Sequence, residues 1–584
     1  MTLAHPSFEA PGWRWLKARV WGLEHAFERA KAAGKAEDDT RIRIFFVMAL
    51  FSAGFLTLAV GATRAALFSD AGHVDGAPGA VGAARVDLVD RNGAMLAADL
   101  LHYGLYVDPR EIWDAAEIRR SLAAALPNIP KSRLDRVLRG EKRGFIASGL
   151  TPEERAKVYA LGLPGVSFEP EERRVYPLGR TAAHLIGYAD TGGIGLAGAE
   201  RALNDQIRGG GPSNAAIPLS IDLRVQAALE DELYKAAADF QPRGAVGVVT
   251  NVHTGEILAV ASYPTFDPNQ SSTADENAKL NRAAASIYEM GSTFKAFTVA
   301  IGLDTGVATP SSTFDAREPF KLGYRTIHDY HATRRILTLV EVFQRSSNIG
   351  TAKLAEAIGA ERLSRYFTAL GLTKPAQVEL KESARPLTPR KWDMDAVAST
   401  SFGHGMNVSP LALSAAMAPL LNGGYYVPLT IKKLEPSQRP KGERVMSEQT
   451  SLQMLQIMRA NVIGGSGRSA DAPGLSVGGK TGTGEKYDPA IRGYSNTRQV
   501  SSFAAVFPTA GPVEADRYFV LILMDEPHGT SKTYGFSTGG YVAAPAAGRV
   551  ISRIAPFLGV ERQPEMIKMI EAPAPAADLA GDGH

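Results

Sequence analysis

The sequence predicts an α+β protein: helices packed on one antiparallel sheet, carried on a second α+β domain behind a single N-terminal transmembrane helix. Three observations predict it. Twenty uncharged residues run from Ile44 to Thr63, the length that crosses a bilayer core. Over residues 65–240, short β-like runs alternate with charged helical stretches and Pro/Gly breaks. Further on, strongly apolar strand runs bracket residues 292–465, whose apolar spacing is mostly helical. That mixture folds as helices against an antiparallel sheet.

The bulk composition narrows the class without naming it. A chain of 584 residues has room for several domains and a sizeable core. With 45% hydrophobic and 21% charged residues it is neither a disordered chain nor a multi-span transporter. The 64 basic and 61 acidic residues leave a net charge of +3, too balanced for a nucleic-acid partner. The absence of cysteine excludes disulfides, iron–sulfur clusters, thiolate zinc sites and a cysteine nucleophile.

The span is flanked by Arg43 and Arg64, and the segment before it carries Arg14, Lys17, Arg19, Arg29, Lys31, Lys35 and Arg41. The positive-inside rule therefore keeps the N-terminus cytoplasmic and exports everything after residue 64. A cleavable signal peptide has a shorter apolar region and no polar leader of forty residues. Trp13, Leu16, Val20, Leu23 and Phe27 recur at spacings of three and four, which fits an amphipathic helix on the inner leaflet or a helix held by a partner. In the exported part, Ala84–Asp90 and Tyr103–Val107 read as β-runs. Ala245–Asn251 and Glu256–Ser262 read as a buried hairpin, and Gln499–Phe507 and Tyr518–Met524 as further strands. The end of the chain, from Glu571 to His584, has too little apolar content to pack.

Three short motifs carry chemistry. In Ser292-Thr-Phe-Lys295 the lysine falls one helical turn after the serine, on the same face. Phe294, Phe297, Val299 and Ile301 make the following helix apolar enough to bury Lys295. Burial disfavours the ammonium, and a neutral amine can take the serine proton. Ser346-Ser-Asn348 stands on a break between two helical runs, where Ser/Asn clusters are also common as turns and caps. Lys480-Thr-Gly-Thr483 follows a glycine-rich strand entry; Gly482 permits close backbone approach, the Thr481 and Thr483 hydroxyls can bind a carboxylate, and the lysine supplies charge. Each motif alone is short, but the ordered trio points to a serine acyl-transfer site. His328-Asp-Tyr-His331 invites a metal reading, yet no third ligand is evident and serine chemistry needs no metal, so it reads as a polar rim loop. No cofactor is implied.

With these motifs the chain resembles the class B penicillin-binding proteins, and in its wording Tyr288-Glu-Met-Gly291 the division-specific FtsI group. The resemblance extends to Arg91-Asn-Gly93, Arg174-Val-Tyr-Pro177, Gly195–Glu200, Asn281-Arg-Ala283, Ser401-Phe-Gly-His-Gly405 and Gly539-Gly540. It implies a penicillin-binding/serine β-lactamase-like transpeptidase domain on an elongated α+β pedestal. The expected organisation is a cytoplasmic tail over 1–43, the span over 44–63, a dimerisation-type pedestal over 64–235, the transpeptidase domain over 236–565 and a disordered tail over 566–584.

The resemblance further implies a D,D-transpeptidase of the inner membrane, acting in the periplasm on peptidoglycan stem peptides ending in D-Ala-D-Ala and inhibited by β-lactams. Ser292 is then the acylated nucleophile, Lys295 its base, and Ser346 with Lys480 the proton relay to the leaving D-alanine. Asn348 orients Lys295, the backbone N–H groups of Ser292 and Thr483 form the oxyanion hole, and Thr481 and Thr483 hold the terminal carboxylate. An FtsW-like glycan polymerase and other division proteins are the implied partners. An elongation-type transpeptidase, a serine β-lactamase and a non-catalytic β-lactam sensor or scaffold are the alternatives that share the trio.

Overall fold

The computed structural model describes residues 85–209, 215–488 and 493–563, with isolated positions between 25 and 56. The expected cytoplasmic tail, the span over 44–63 as a whole, and the tail over 566–584 lie outside the described residues. Among the described residues no helix is long and apolar enough to cross a membrane.

The pedestal is built on a long strand. β1 (Leu88–Val89) pairs with β2 (Met95–Val107), and β2 also pairs with β3 (Gly144–Leu150) and with β4 (Val166–Val175), all antiparallel; β5 (Ile217–Pro218) adds to β1 in parallel. The run Tyr103–Val107 is thus the end of a 13-residue strand. Helices α1 (Ala115–Ala125), α2 (Lys131–Leu138) and α3 (Pro152–Tyr159) cover this sheet. Ile118, Leu122, Leu134 and Val158 pack against Leu105, Val107, Ile146 and Leu150. Their starts are written in the sequence: Asp114 accepts from the N–H groups of Ala116 and Glu117, and Thr151 with Glu154 forms a capping box ahead of Pro152. Where the strands meet the catalytic domain, Arg174 bonds the fully buried Glu200 at 2.7 Å and Asp99 at 3.3 Å, and Arg85 pairs with the same Glu200.

The catalytic sheet has five antiparallel strands. β6 (Gly244–Asn251) and β7 (Ile257–Tyr263) form the expected hairpin. β8 (Phe320–Leu322) and β9 (Arg325–Ile327) make a small separate hairpin. β10 (Gly478–Asp488), β11 (Gly493–Phe507) and β12 (Tyr518–Asp525) complete the main sheet in the order β10-β11-β12-β6-β7. Every residue of β6 and β12 is buried, which is why both read as unbroken apolar runs without alternation.

One face of the sheet packs on α4 (Leu223–Phe240) and the C-terminal helix Ala543–Ile554 through Val225, Leu229, Leu233, Val550 and Ile551. Each such side chain contributes about 1.5–3 kcal/mol on burial. The boundary expected at 235/236 therefore cuts through α4. The helix belongs with the catalytic domain because its apolar face is that domain's cover, and Asp222 caps its start. The other face carries the helical region: α5 (Lys295–Asp304), α6 (Leu339–Arg345), α7 (Asn348–Ile358) and α8 (Glu448–Gly464). Phe294, Phe297, Phe343, Leu354 and Met458 belong to its core.

Candidate active site

Ser292 and Lys295 are delivered by a tight turn. Residues Gly291–Phe294 form a single 3-10 turn that runs directly into α5, so the α-helix proper begins at Lys295 and not at the serine. Gly291 has φ of +54°, and a Cβ there would overlap the Thr483 carbonyl. Glycine thus lets the serine turn press against β10. Phe294 and Phe297, in edge-to-face contact at 5.3 Å, anchor the turn in the core.

Lys295 is fully buried. Its Nζ donates to the Ser346 carbonyl at 2.5 Å and to Asn348 Oδ1 at 2.7 Å, and lies 3.0 Å from Ser346 Oγ. Two carbonyl-type acceptors use the two protons of a neutral amine and leave its lone pair for a hydroxyl proton. Burial pulls the lysine pKa down to about 7, against the opposing pull of the Asp329 carboxylate.

Lys480, also fully buried on β10, reaches the same hydroxyl from the other side. Its Nζ lies 3.1 Å from Ser346 Oγ and 3.0 Å from the Thr481 carbonyl. Burial, with the Lys295 charge adding to it, pushes this amine well below an ordinary lysine. Two fully buried ammonium groups cannot readily share one hydroxyl, so the arrangement favours at least one free base.

The Ser346–Asn348 break is built between two capped helices. Thr338 and Glu341 form a capping box that starts α6, and Ser347 starts α7 by accepting from the Gly350 N–H at 3.0 Å. Between them Ser346 takes φ of +55°, a left-handed conformation that costs a side-chain-bearing residue about 1–2 kcal/mol. That bend points the Ser346 carbonyl and hydroxyl together at Lys295. The Asn348 amide donates to the His328 carbonyl at 3.0 Å, which leaves Oδ1 for the lysine.

On β10, an edge strand, Thr481 Oγ1 lies 2.8 Å from Ser466 Oγ, and Thr483 Oγ1 accepts from the Gly539 N–H at 3.3 Å. A Cβ on Gly482 would overlap Ser502 Oγ and the Met290 carbonyl, so this glycine too lets the strand close on the serine turn. The structure brings Lys295, Ser346, Asn348, Lys480 and Thr481 into one hydrogen-bonded group, and packs the turn that carries Ser292 on Gly482 and Thr483. Asp329, within the His328–His331 stretch read as a rim loop, and Ser466, in no motif, join them through tertiary packing. His328 and His331 belong to the rim segment, where His331 packs on the Tyr330 ring.

The domains and motifs agree with known proteins. Residues 245–552 match the penicillin-binding protein transpeptidase domain, and residues 80–210 match the penicillin-binding protein dimerisation domain. The chain is 67% identical over 576 residues to the probable peptidoglycan D,D-transpeptidase FtsI of Caulobacter vibrioides, covering 98% of each. It is 30% identical to the peptidoglycan D,D-transpeptidase FtsI of Escherichia coli, over 82% of this chain and 85% of that one. The crystal structure of penicillin-binding protein 3 from Mycobacterium tuberculosis, complexed with aztreonam, superposes with a TM-score of 0.64 at 24% identity, over 83% of this chain and 98% of that one. The two domain matches and the 67% identity over 98% of the chain make it a class B penicillin-binding protein of the FtsI group.

Proposed function

We propose that the protein cross-links peptidoglycan stem peptides as a serine D,D-transpeptidase in septal synthesis, and that β-lactams acylate it. The observation that carries this reading is the fully buried Lys295 amine, three residues after Ser292, with both its acceptors satisfied and its pKa near 7.

In the proposed reaction Ser292 Oγ attacks the penultimate carbonyl of a D-Ala-D-Ala stem while Lys295 Nζ takes its proton. The backbone N–H groups of Ser292 and Thr483 receive the oxyanion, a contribution of about 3–4 kcal/mol per donor. Ser346, between the two amines, passes a proton to the leaving D-alanine amine. Thr481 and Thr483 hold the terminal carboxylate, which Lys480 attracts. The amine of a neighbouring stem then attacks the acyl-enzyme; the new amide forms, the ester bond breaks and Ser292 is freed.

The uncharged run over 44–63 and the basic residues before it support anchorage in the inner membrane with the catalytic domain in the periplasm. An FtsW-like glycan polymerase is the partner proposed to supply the strands. The test is reconstitution of the full-length chain with such a polymerase and lipid-linked precursor. Cross-linked dimers that vanish in Ser292→Ala support the reading. Intact strands without cross-links sink it, and release of D-alanine without cross-links makes the protein a carboxypeptidase. Depletion that produces filaments supports the septal role, whereas rounded cells assign it to elongation.

A further inference from the structure

We propose that Asp329 is a positioning residue for this chemistry: its carboxylate fixes the Ser346–Asn348 turn so that Ser346 and Asn348 meet Lys295. The segment after β9 runs alongside the start of α7 and holds it at three points. Asp329 Oδ2 accepts from Ser347 Oγ at 2.8 Å, Asp329 Oδ1 accepts from the Ile349 N–H at 3.0 Å, and the neighbouring His328 carbonyl accepts from the Asn348 amide at 3.0 Å. Ser347 and Ile349 flank Asn348, and Ser347 follows the left-handed Ser346. The carboxylate therefore holds the Ser347 hydroxyl on one side and the Ile349 backbone N–H on the other side of the residue that orients the lysine. The two donors fall on the two different oxygens of the Asp329 side chain. An amide keeps one acceptor for the Ile349 N–H and can meet Ser347 Oγ only by reversing that bond, donating to a hydroxyl that already accepts from the Gly350 N–H.

Charge acts along the same line. Lys295 faces Lys480 from β10, His404 from the loop after the helix Met394–Thr400, Ser346 and Asn348 from the turn, and Asp329 from the rim. Burial holds His404 neutral, with a pKa of about 4, and depresses Lys480. Among the described residues Asp329 is the one carboxylate whose charge registers on Lys295, and it favours the ammonium. Burial alone would leave a weaker base; Asp329 keeps the amine basic enough to take a serine proton near neutral pH. Removing the charge lowers the lysine pKa, so the rising limb of acylation against pH moves to lower pH.

The inference rests on Lys295 serving as the base for Ser292. The experiment is acylation of the purified full-length chain by a fluorescent penicillin across pH, with circular dichroism and melting on every variant. In Asp329→Asn the plateau rate is expected to fall about tenfold or more, and the midpoint to move below that of the wild type. Ser347→Ala, which removes one clamp bond together with the α7 cap to the Gly350 N–H and keeps the charge, should slow acylation with its midpoint unmoved. A plateau within about twofold of wild type and an unmoved midpoint in Asp329→Asn overturn the proposal. So does a midpoint shift in Ser347→Ala as large as that in Asp329→Asn. Should Asp329→Asn fail to fold, Ser347→Ala decides alone, and a rate within about twofold of wild type overturns the clamp. A wild-type chain with no rising limb instead removes the reading of Lys295, a separate failure.

Discussion

Among the described residues, two clusters of buried charge are built on opposite principles. In the pedestal, Arg85 and Arg174 face Glu200 and Asp99: two cations, two anions, with Arg174 bonded to both carboxylates and Arg85 to Glu200. In the cleft, Lys295 and Lys480 face each other across Ser346 Oγ. The first cluster is satisfied as ions; the second is satisfied only when an amine gives up its proton. Burial of a charged residue type is common to both, so burial does not mark the reactive site. The sign of its neighbours does.

Removing one member from each cluster should break the protein in opposite ways. Lys295→Met deletes a buried amine from an apolar helix face, so acylation by a fluorescent penicillin should fall by about 10²–10⁴-fold. Its melting temperature should hold or rise, since strained polar sites carry function at the expense of stability. A variant that still labels at the wild-type rate would remove Lys295 from the chemistry. Glu200→Gln is the mirror case. It leaves two buried guanidinium groups short of a carboxylate and should destabilise the fold by about 3–5 kcal/mol, read from the denaturant midpoint. The molecules that remain folded should label normally. Loss of labelling without loss of stability would mean that the pedestal cluster acts on the cleft, and the comparison would fail.

The like-charged cluster also predicts a pH signature. Lys295 has a folded pKa of about 7 against an ordinary value of 10.5. Between those values the unfolded chain binds the extra proton, so folding stability should rise with pH across that window and be lowest below it. Titrating the denaturant midpoint from pH 7 upward tests the sign. Lys295→Met should flatten the slope; an unchanged slope would assign it to other groups.

Much of this contrast was legible in the sequence, for local reasons. Ser292 and Lys295 are one turn apart, so spacing alone places them together, and the apolar Phe294, Phe297 and Val299 announce the burial that lowers the lysine pKa. Strands β6 and β12 show themselves because a strand buried on both faces has no polar alternation. What escaped was what depends on distant parts of the chain. Asp329 meets its partners 18 and 20 residues later, and only the path of the segment after β9 makes a rim residue into a clamp. Ser466 and Thr481 meet because α8 ends beside β10. The boundary expected at 235/236 falls inside α4 for a similar reason: α4 has an ordinary amphipathic pattern, and the sheet it covers comes after it in the chain.

The smallest expected effect marks the outer limit of the comparison. Glu153 and Lys157, four residues apart on α3, form an ion pair at 2.9 Å with side chains 79% and 58% exposed. The lysine holds the Glu153 carboxyl below its ordinary value, so the pairing is real as geometry. Water solvates both partners in the folded and the unfolded chain alike, and ordering two long side chains offsets the attraction. Glu153→Gln should therefore move the melting temperature by no more than about a degree. The same change of one carboxylate to an amide at Glu200 should be among the most damaging in the pedestal. A large shift at Glu153 would show that desolvation is not what separates the two sites, and the argument from buried neighbours would lose its footing.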